Sequence, residues 1–215
     1  LCQFPWTDYF QWIKNCNVVL GMAGEEPEDS QRFGVGQAYA LRAMFYMDLA
    51  MMYSQETYAN NPDALTVPWV DQFSKTEDSF HNPRITNKVM FGHIIDDLNN
   101  AETYLDGYSR PNGKTPDLSV VYGLKARAYL YMGMWKEAEE YAREAQKGYT
   151  MMSQAEYCDR NTGFNTHNSS WMLYVGFKSE DPCIQQNDAD SSWGSAMSFE
   201  IFHKNGTGCG YASNY

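Results

Sequence analysis

The stretch 126–145 constrains the fold of this 215-residue chain more than any other part, because it encodes two short amphipathic helices joined by a tight turn at Gly133. Small side chains let two helix backbones approach closely, and aromatic side chains fill the wedge beside the contact. The stretch therefore predicts a closely packed helical hairpin. Its small residues are Ala126, Ala138, Ala142 and Ala145, and its aromatic residues are Tyr129 and Trp135.

Such hairpins are typical of tetratricopeptide-type repeats, whose unit is about 34 residues long. These repeats build scaffolds and binding surfaces more often than catalytic sites. Apolar periodicity predicts the other helices, so the predicted fold class is all-α, with tetratricopeptide-like helical hairpins and a loop-rich, partly extended C-terminal segment. The predicted helices cover 6–20, about 30–53, 119–132 and 135–147, together with a third helix that lies between Thr86 and Gly107.

The character of the sequence changes after position 150. We expect a helical domain over 1–150 and, over 151–215, a loop-rich segment of the same domain with a short strand at 171–177. The chain begins with Leu1 and stops without a terminating element, so we expect a truncated domain. No leader or lipidation motif is visible, which decides nothing for a processed or partial chain.

Particular positions in the first two helices carry further expectations. Asn17 lies on the apolar face of the first helix, so a buried Asn17 needs backbone hydrogen-bond partners. Thr7 or Asp8 could cap the start of that helix. Gly34 and Gly36 should weaken the first turns of the second helix.

The third helix is predicted to have Thr86 as its N-cap, Val89 in its apolar stripe and Gly107 as its stop. His93 shares one face of this helix with two carboxylates, so a metal site can be imagined there, although a solvated helix face is the favoured interpretation. Those carboxylates belong to Asp96 and Asp97.

Composition excludes several classes of function. The net charge of −11 repels phosphate backbones and anionic membrane surfaces, so we expect no nucleic-acid partner. No run approaches the roughly 18 apolar residues that a membrane span needs. The five cysteines show no zinc-ligand spacing, and we expect Cys16 to be a small buried residue. One disulfide among Cys158, Cys183 and Cys209 is possible, but the sequence does not assign it.

Catalytic chemistry finds no support in the sequence. The adjacent carboxylates at 96–97 and 139–140 point to different helix faces, whereas glycosidic cleavage needs two carboxyls that converge across a cleft. No nucleophile elbow, phosphate loop or Cys–His arrangement is present. We predict no catalytic residues, no metal and no cofactor.

The aromatic and polar tail over 183–215 is the predicted ligand site. Sugar rings stack their C–H faces on aromatic rings, while carboxylate and amide groups bind sugar hydroxyls. The alternative is that these aromatic residues only pin a long loop to the helical core. The predicted ligand-binding residues are Trp193, Tyr211, Tyr215, Asp190 and Asn214.

The order of these segments resembles the SusD/RagB-like family of outer-membrane nutrient-binding proteins. One set of positions resembles the family's long helix with its upstream helix and the "VP" segment that follows. A second set resembles the next helix and the repeat hairpin. The first set is Ile13, Asn17, Leu20, Gly36, Gln37, Ala38, Leu41, Arg42, Ala43, Tyr46, Leu49, Tyr53, Val67 and Pro68, and the second is Ile94, Asp97, Leu98, Ala101, Ala126–Leu130, Trp135, Ala138, Tyr141 and Ala142.

The resemblance implies an α-helical protein with no catalytic activity, anchored by an N-terminal lipid to the outer face of the bacterial outer membrane. Family members partner a SusC-like TonB-dependent transporter, bind glycan or sometimes peptide, and pass it inward. The resemblance further implies that the helical hairpins face the transporter while the loops bear the ligand.

The expected function is therefore non-enzymatic capture of oligosaccharide at the cell surface and its delivery to a TonB-dependent transporter. A peptide-binding member of the same family is one alternative. A second is a tetratricopeptide adaptor that binds peptide through Tyr122, Lys125 and Tyr129, and a third is a fragment of a helical glycoside hydrolase.

Overall fold

The computed structural model describes residues 3–75, 77, 81–159 and 167–175, and over these residues the chain is all-α, as predicted. The long helices pack in chain order, α1 on α2, α2 on α3, α3 on α4 and α4 on α5. Stacking of sequential neighbours is the architecture that a repeat hairpin produces. The helices are α1 Gln3–Ala23, α2 Arg32–Tyr53, α3 Asn87–Leu105, α4 Leu118–Met132, α5 Trp135–Ala145 and α6 Gln154–Tyr157.

The core lies where α2 packs on α1 on one side and on α3 on the other. Apolar side chains that are essentially removed from water fill it, and each stabilises the fold by roughly 1.5–3 kcal/mol relative to an exposed position. Cys16 is buried beside this core, as expected, and burial raises the pKa of its thiol to about 11. The largest core residues include Ile13, Tyr46, Met47, Leu49, Phe91, Ile94, Leu98 and Val121.

Gly36 has a packing role that the sequence did not indicate. A Cβ atom at this position would lie 2.7 Å from Cγ of Leu105 and 3.0 Å from Cβ of Tyr104, so the absent side chain lets α2 touch the end of α3. A Cβ atom on Gly34 would meet nothing within 4 Å. Of these two glycines, only Gly36 is therefore required by close packing.

Two predicted helix-end residues, Thr86 and Gly133, are confirmed. The Thr86 side chain accepts a hydrogen bond from the Val89 N–H and caps α3. Gly133 has a φ of +77° and its N–H reaches the Leu130 carbonyl, so it ends α4 in the left-handed conformation. The capping role expected for Thr7 or Asp8 is wrong, because α1 already begins at Gln3.

Two residues expected in the packed interface are exposed. Trp135 is 67% exposed, because it starts α5, and α5 packs only on α4 within the described part of the chain. Val89 is also exposed, since the first turn of α3 directs Met90 and Phe91 into the core instead. Of the α5 residues, Ala138 and Ala145 are the buried ones.

The strand predicted at 171–177 is not present over 171–175, the part that the structure describes. These residues form a turn and an irregular stretch. The Tyr174 N–H donates to the Gly113 carbonyl at 3.0 Å, and the Arg110 guanidinium donates to the Met172 carbonyl. The segment is thus held by an arginine and by one backbone bond, and within the described residues its apolar run has no neighbouring strand to pair with.

Chain contacts divide the protein into two compact units, Leu1–Tyr174 and Val175–Tyr215. Val175 is the only described residue of the second unit, so the organisation predicted for 151–215 stays a prediction. None of the described helices combines the length and apolar character that crossing a membrane requires.

Candidate functional site

The predicted ligand-binding residues lie outside the described residues. They are Trp193, Tyr211, Tyr215, Asp190 and Asn214. Their role stays a prediction. Within the described residues, a cluster of polar side chains surrounds Arg42.

Arg42 and Asp97 form a buried ion pair between α2 and α3. The guanidinium donates from Nε to Oδ2 at 2.8 Å and from Nη2 to Oδ1 at 2.7 Å, and each residue is only 3% exposed. Burial lowers the pKa of Arg42, but the hydrogen bonds and charge of Asp97 outweigh it and leave the pKa above its usual value. Arg42 is therefore charged and holds both carboxylate oxygens in a two-pronged contact.

The remaining N–H groups of Arg42 extend this pair into a network. Nη1 donates to Oδ1 of Asn17 on α1 at 2.8 Å and to Oε1 of Gln72 at 2.7 Å. The Asn17 amide in turn donates to the Val70 carbonyl at 3.0 Å, which confirms that this buried Asn has a backbone partner. One guanidinium thus joins α1, α2 and α3 to residues 69–74, which we call the anchored segment.

Tyr46 fixes the same segment through its main chain. Its hydroxyl donates to the Val70 carbonyl and accepts from the Val70 N–H, both at 2.8 Å. Burial raises the pKa of Tyr46, so the hydroxyl keeps the proton that it donates. The Trp69 ring packs on Tyr46 at 4.4 Å between centroids, and Arg42 lies 5.1 Å from the Trp69 ring. These contacts hold an extended stretch without a β-sheet.

On the face of α3 where a metal site was considered, two of the three candidate side chains already have partners. Asp97 is bound to Arg42, and the His93 ring stacks on Trp69 with centroids 4.3 Å apart. The favoured interpretation of a solvated face is correct for the exposed Asp96 but wrong for the buried Asp97. Across the residues that the structure describes, no group of His, Cys, Asp and Glu side chains could hold a metal ion.

Asp71 closes a turn within the anchored segment. Its carboxylate accepts from the Phe73 N–H at 3.0 Å, from the Ser74 hydroxyl at 2.9 Å and from the Trp69 indole at 3.3 Å. Burial alone would raise the pKa of Asp71, but these hydrogen bonds lower it below its usual value. The carboxylate is therefore charged, and the turn presents Gln72 and Phe73 beside α1.

Two hollows flank Gln72. The first, which we call the α1 hollow, measures about 440 Å³ and the second, the tyrosine hollow, about 370 Å³. Gly21 and Gln72 line both of them, so the hollows are neighbours. Phe10, Lys14, Met22 and Asp71 also line the α1 hollow, whereas Glu25, Tyr39, Phe73 and Tyr104 line the tyrosine hollow.

The residues of the adaptor alternative lie inside the hairpin. Lys125 is 1% exposed, bonds to Glu102 and lies 4.9 Å from the centre of the Tyr141 ring. Tyr129 stacks on Tyr141 at 5.6 Å, and Tyr122 contacts the same ring at 6.0 Å. The cluster joins α3, α4 and α5, and Lys125 is not accessible to a peptide.

Comparisons with known proteins identify this helical arrangement. No protein-family model and no curated protein sequence matches the chain. Among solved structures, a SusD-like carbohydrate binding protein from Bacteroides vulgatus ATCC 8482 is 29% identical over 71% of this chain, with a TM-score of 0.64. A SusD superfamily protein from Bacteroides fragilis is 28% identical over 69% of this chain, with a TM-score of 0.58.

Over its helical part the chain is similar in sequence and fold to these SusD-like proteins. A SusD superfamily protein from Bacteroides thetaiotaomicron VPI-5482, 20% identical, shares the fold over 83% of this chain and 39% of its own length, with a TM-score of 0.70. This chain covers 33% and 35% of the two proteins from Bacteroides vulgatus and Bacteroides fragilis. It thus spans about a third of the length of these SusD-like proteins.

Sequence reasoning singled out Asn17, Arg42, Tyr46 and Asp97, but it did not predict the polar network to which they belong. Asn17 was recognised because a polar side chain interrupts an apolar helix face. Gln72, Tyr39 and Tyr104 carry no comparable signal, since each belongs to a different element and they line one hollow only through the tertiary fold.

Proposed function

We propose that this SusD-like chain is a non-enzymatic nutrient-binding protein that captures oligosaccharide at the cell surface. The observation that carries the proposal is the 29% identity and the shared fold with a SusD-like carbohydrate binding protein over 71% of this chain. The proposed role contains no catalytic step.

In the proposed mechanism, aromatic side chains of the tail act as platforms for sugar rings. Trp193, Tyr211 and Tyr215 stack on the sugars, and Asp190 and Asn214 bind their hydroxyls. A stacked ring contributes about 1 kcal/mol beyond simple burial. Several such contacts along a chain of repeating sugar units add up to useful avidity.

The proposal includes delivery of the captured ligand to a SusC-like TonB-dependent transporter in the outer membrane. We propose that an N-terminal lipid anchor holds the protein on the outer face of that membrane, with the α4–α5 hairpin toward the transporter. Exposed apolar side chains at Leu130 and Met134 support this orientation, because a protein partner can bury such a surface.

A calorimetric binding screen of the 215-residue chain tests ligand capture. The panel contains neutral oligosaccharides of glucose, xylose, mannose and galactose, together with a pool of random peptides. Saturable binding of at least one oligosaccharide supports the proposal. Binding of peptide alone would replace it with the peptide-binding alternative, and absence of any oligosaccharide binding would refute it.

The variant Trp193→Ala tests the proposed platform. We expect it to weaken oligosaccharide binding about fivefold to tenfold, which corresponds to the loss of one stacked ring. Trp135→Ala is the matched control, since Trp135 is an exposed tryptophan of the helical hairpin. Equal affinity of Trp193→Ala and the parent chain would remove Trp193 from the site.

A further inference from the structure

We propose that the α1 hollow and the tyrosine hollow form one cleft that binds two adjacent units of a neutral oligosaccharide, with Gln72 as the central donor. This inference rests on the proposed function, and it names a binding site within the helical part of the chain. The proposed cleft is built from residues other than the tail residues to which the ligand was assigned above.

The orientation of the Gln72 amide follows from its contact with Arg42. A guanidinium carries only hydrogen-bond donors, so the group that faces Arg42 Nη1 at 2.7 Å must be the amide oxygen. The Gln72 Nε2 group therefore points away from Arg42. Within the described part of the chain its two N–H bonds have no acceptor, and Gln72 lines both hollows.

Rigidity makes this donor suitable for recognition. Arg42 is itself held by both oxygens of Asp97 and by Asn17, and the main chain next to Gln72 is held by Tyr46. A donor that is fixed before the ligand arrives loses little conformational freedom on binding. Gln72 is thus a preorganised donor for a ligand oxygen.

The tyrosine hollow supplies the other groups that a sugar ring needs. The rings of Tyr39 and Tyr104 are parallel within 10°, with centroids 6.0 Å apart, and both line the hollow. Phe73, 68% exposed, lines the same hollow and offers an apolar face. The Glu25 carboxylate accepts hydrogen bonds from hydroxyl groups. Aromatic faces beside isolated polar groups are the common composition of small-ligand sites.

Charge and size narrow the class of ligand. Lys14 and Asp71 carry opposite charges in the α1 hollow, whereas Glu25 in the tyrosine hollow and the net charge of −11 of the whole chain disfavour an anion. Volumes of about 370 and 440 Å³ fall within the range of about 300–1,000 Å³ that ligand pockets show. Because the hollows share Gln72 and Gly21, a neutral chain of linked sugars fits the pair better than a single compact ligand.

The variant Gln72→Glu tests the donor. It keeps the side-chain shape and the acceptor for Arg42, but it replaces the N–H donors with a carboxylate oxygen. We expect oligosaccharide affinity to fall about tenfold, as for the loss of a hydrogen bond that leaves a ligand oxygen without a partner. Gln11→Glu is the matched control, because Gln11 is exposed on the same protein and its amide donates to Asn15, outside the lining of either hollow among the described residues.

The variant Gly21→Leu tests the cleft without replacing a residue of the network. Gly21 lies in α1 at the junction of the hollows, and a Cβ atom there would lie 3.7 Å from Cβ of Gln72, an ordinary contact. A leucine side chain would therefore fill the junction while the helix is retained. We expect at least a tenfold loss of oligosaccharide affinity with an unchanged far-ultraviolet circular dichroism spectrum.

The readouts are calorimetry with linear hexaoses of glucose, xylose and mannose and nuclear magnetic resonance of the side-chain amides. Weaker binding of both variants, with a ligand-induced shift of the Gln72 amide but not of the Gln11 amide, supports the cleft. If the parent chain binds a hexaose and both variants bind it equally, only the cleft is refuted. If the parent chain binds none of the hexaoses but binds peptides, the cleft fails as a sugar site and the peptide alternative gains support.

Discussion

The helices α1–α3 and the hairpin α4–α5 are held together by different kinds of contact. Around α2 the helices are joined by a buried arginine whose partners lie on α1, on α3 and in the anchored segment. In the hairpin, small side chains bring α4 and α5 together, and α5 buries only two alanines. The hairpin, which the sequence predicts most directly, is thus peripheral, whereas for the α1–α3 region the sequence indicates individual residues but not the contacts between them.

The largest expected effect comes from Arg42→Ala in the α1–α3 region. Removing one partner of a buried ion pair leaves the carboxylate of Asp97 without compensation, which costs about 3–5 kcal/mol of unfolding free energy. Urea denaturation followed by circular dichroism measures it. The matched control in the hairpin is Arg143→Ala, whose exposed pair with Glu139 should change stability by less than about 0.5 kcal/mol. Similar losses for both arginines would contradict the comparison.

Gly36→Ala should have the second largest effect. The added methyl would lie 2.7 Å from Leu105 Cγ, and such overpacking costs about 1–3 kcal/mol. The neighbouring variant Gly34→Ala meets open space in the same helix and should leave stability unchanged or raise it by up to about 1 kcal/mol. The difference between the two denaturation midpoints is the measurement, and a Gly36→Ala protein as stable as the parent would show that α2 and α3 can separate at low cost.

In the hairpin, Gly133→Ala should cost about 1–2 kcal/mol, because its φ of +77° forces a side chain into the left-handed region. Gly123→Ala is the control within α4, where the added methyl would make only ordinary contacts at 3.9 Å and beyond. Thermal unfolding of both variants tests whether the hairpin depends on its turn. An unchanged melting temperature for Gly133→Ala would mean that the turn is not fixed in this conformation.

Trp135→Ala should have the smallest effect, below about 0.5 kcal/mol, since the side chain is mostly exposed. The same denaturation assay measures it. A loss above about 2 kcal/mol would restore the sequence-based expectation that Trp135 fills the wedge between the helices.

Sequence reasoning predicted the features that depend on neighbours along the chain. Helix periodicity identified the five long helices, and Thr86 and Gly133 were recognised because caps and turns are local. The role of Gly36 was missed because it depends on Leu105, which lies on another helix. Gln72 was missed for the same reason, since its partner Arg42 is 30 positions away.

The errors share a second physical cause. Trp135 and the stretch 171–175 have the residue types of a buried element, but burial also requires a partner surface. The described part of the chain gives Trp135 no further helix and gives 171–175 no neighbouring strand. The ligand-binding residues predicted in the tail stay predictions. Calorimetry of the Trp193→Ala variant tests one of them.

The hydroxyl of Tyr46 contacts residue 70 only through the peptide group, as donor to its carbonyl and acceptor from its N–H. Neither bond depends on which side chain occupies position 70. The side chain at position 70 can therefore be exchanged while the backbone there keeps both hydrogen bonds to Tyr46.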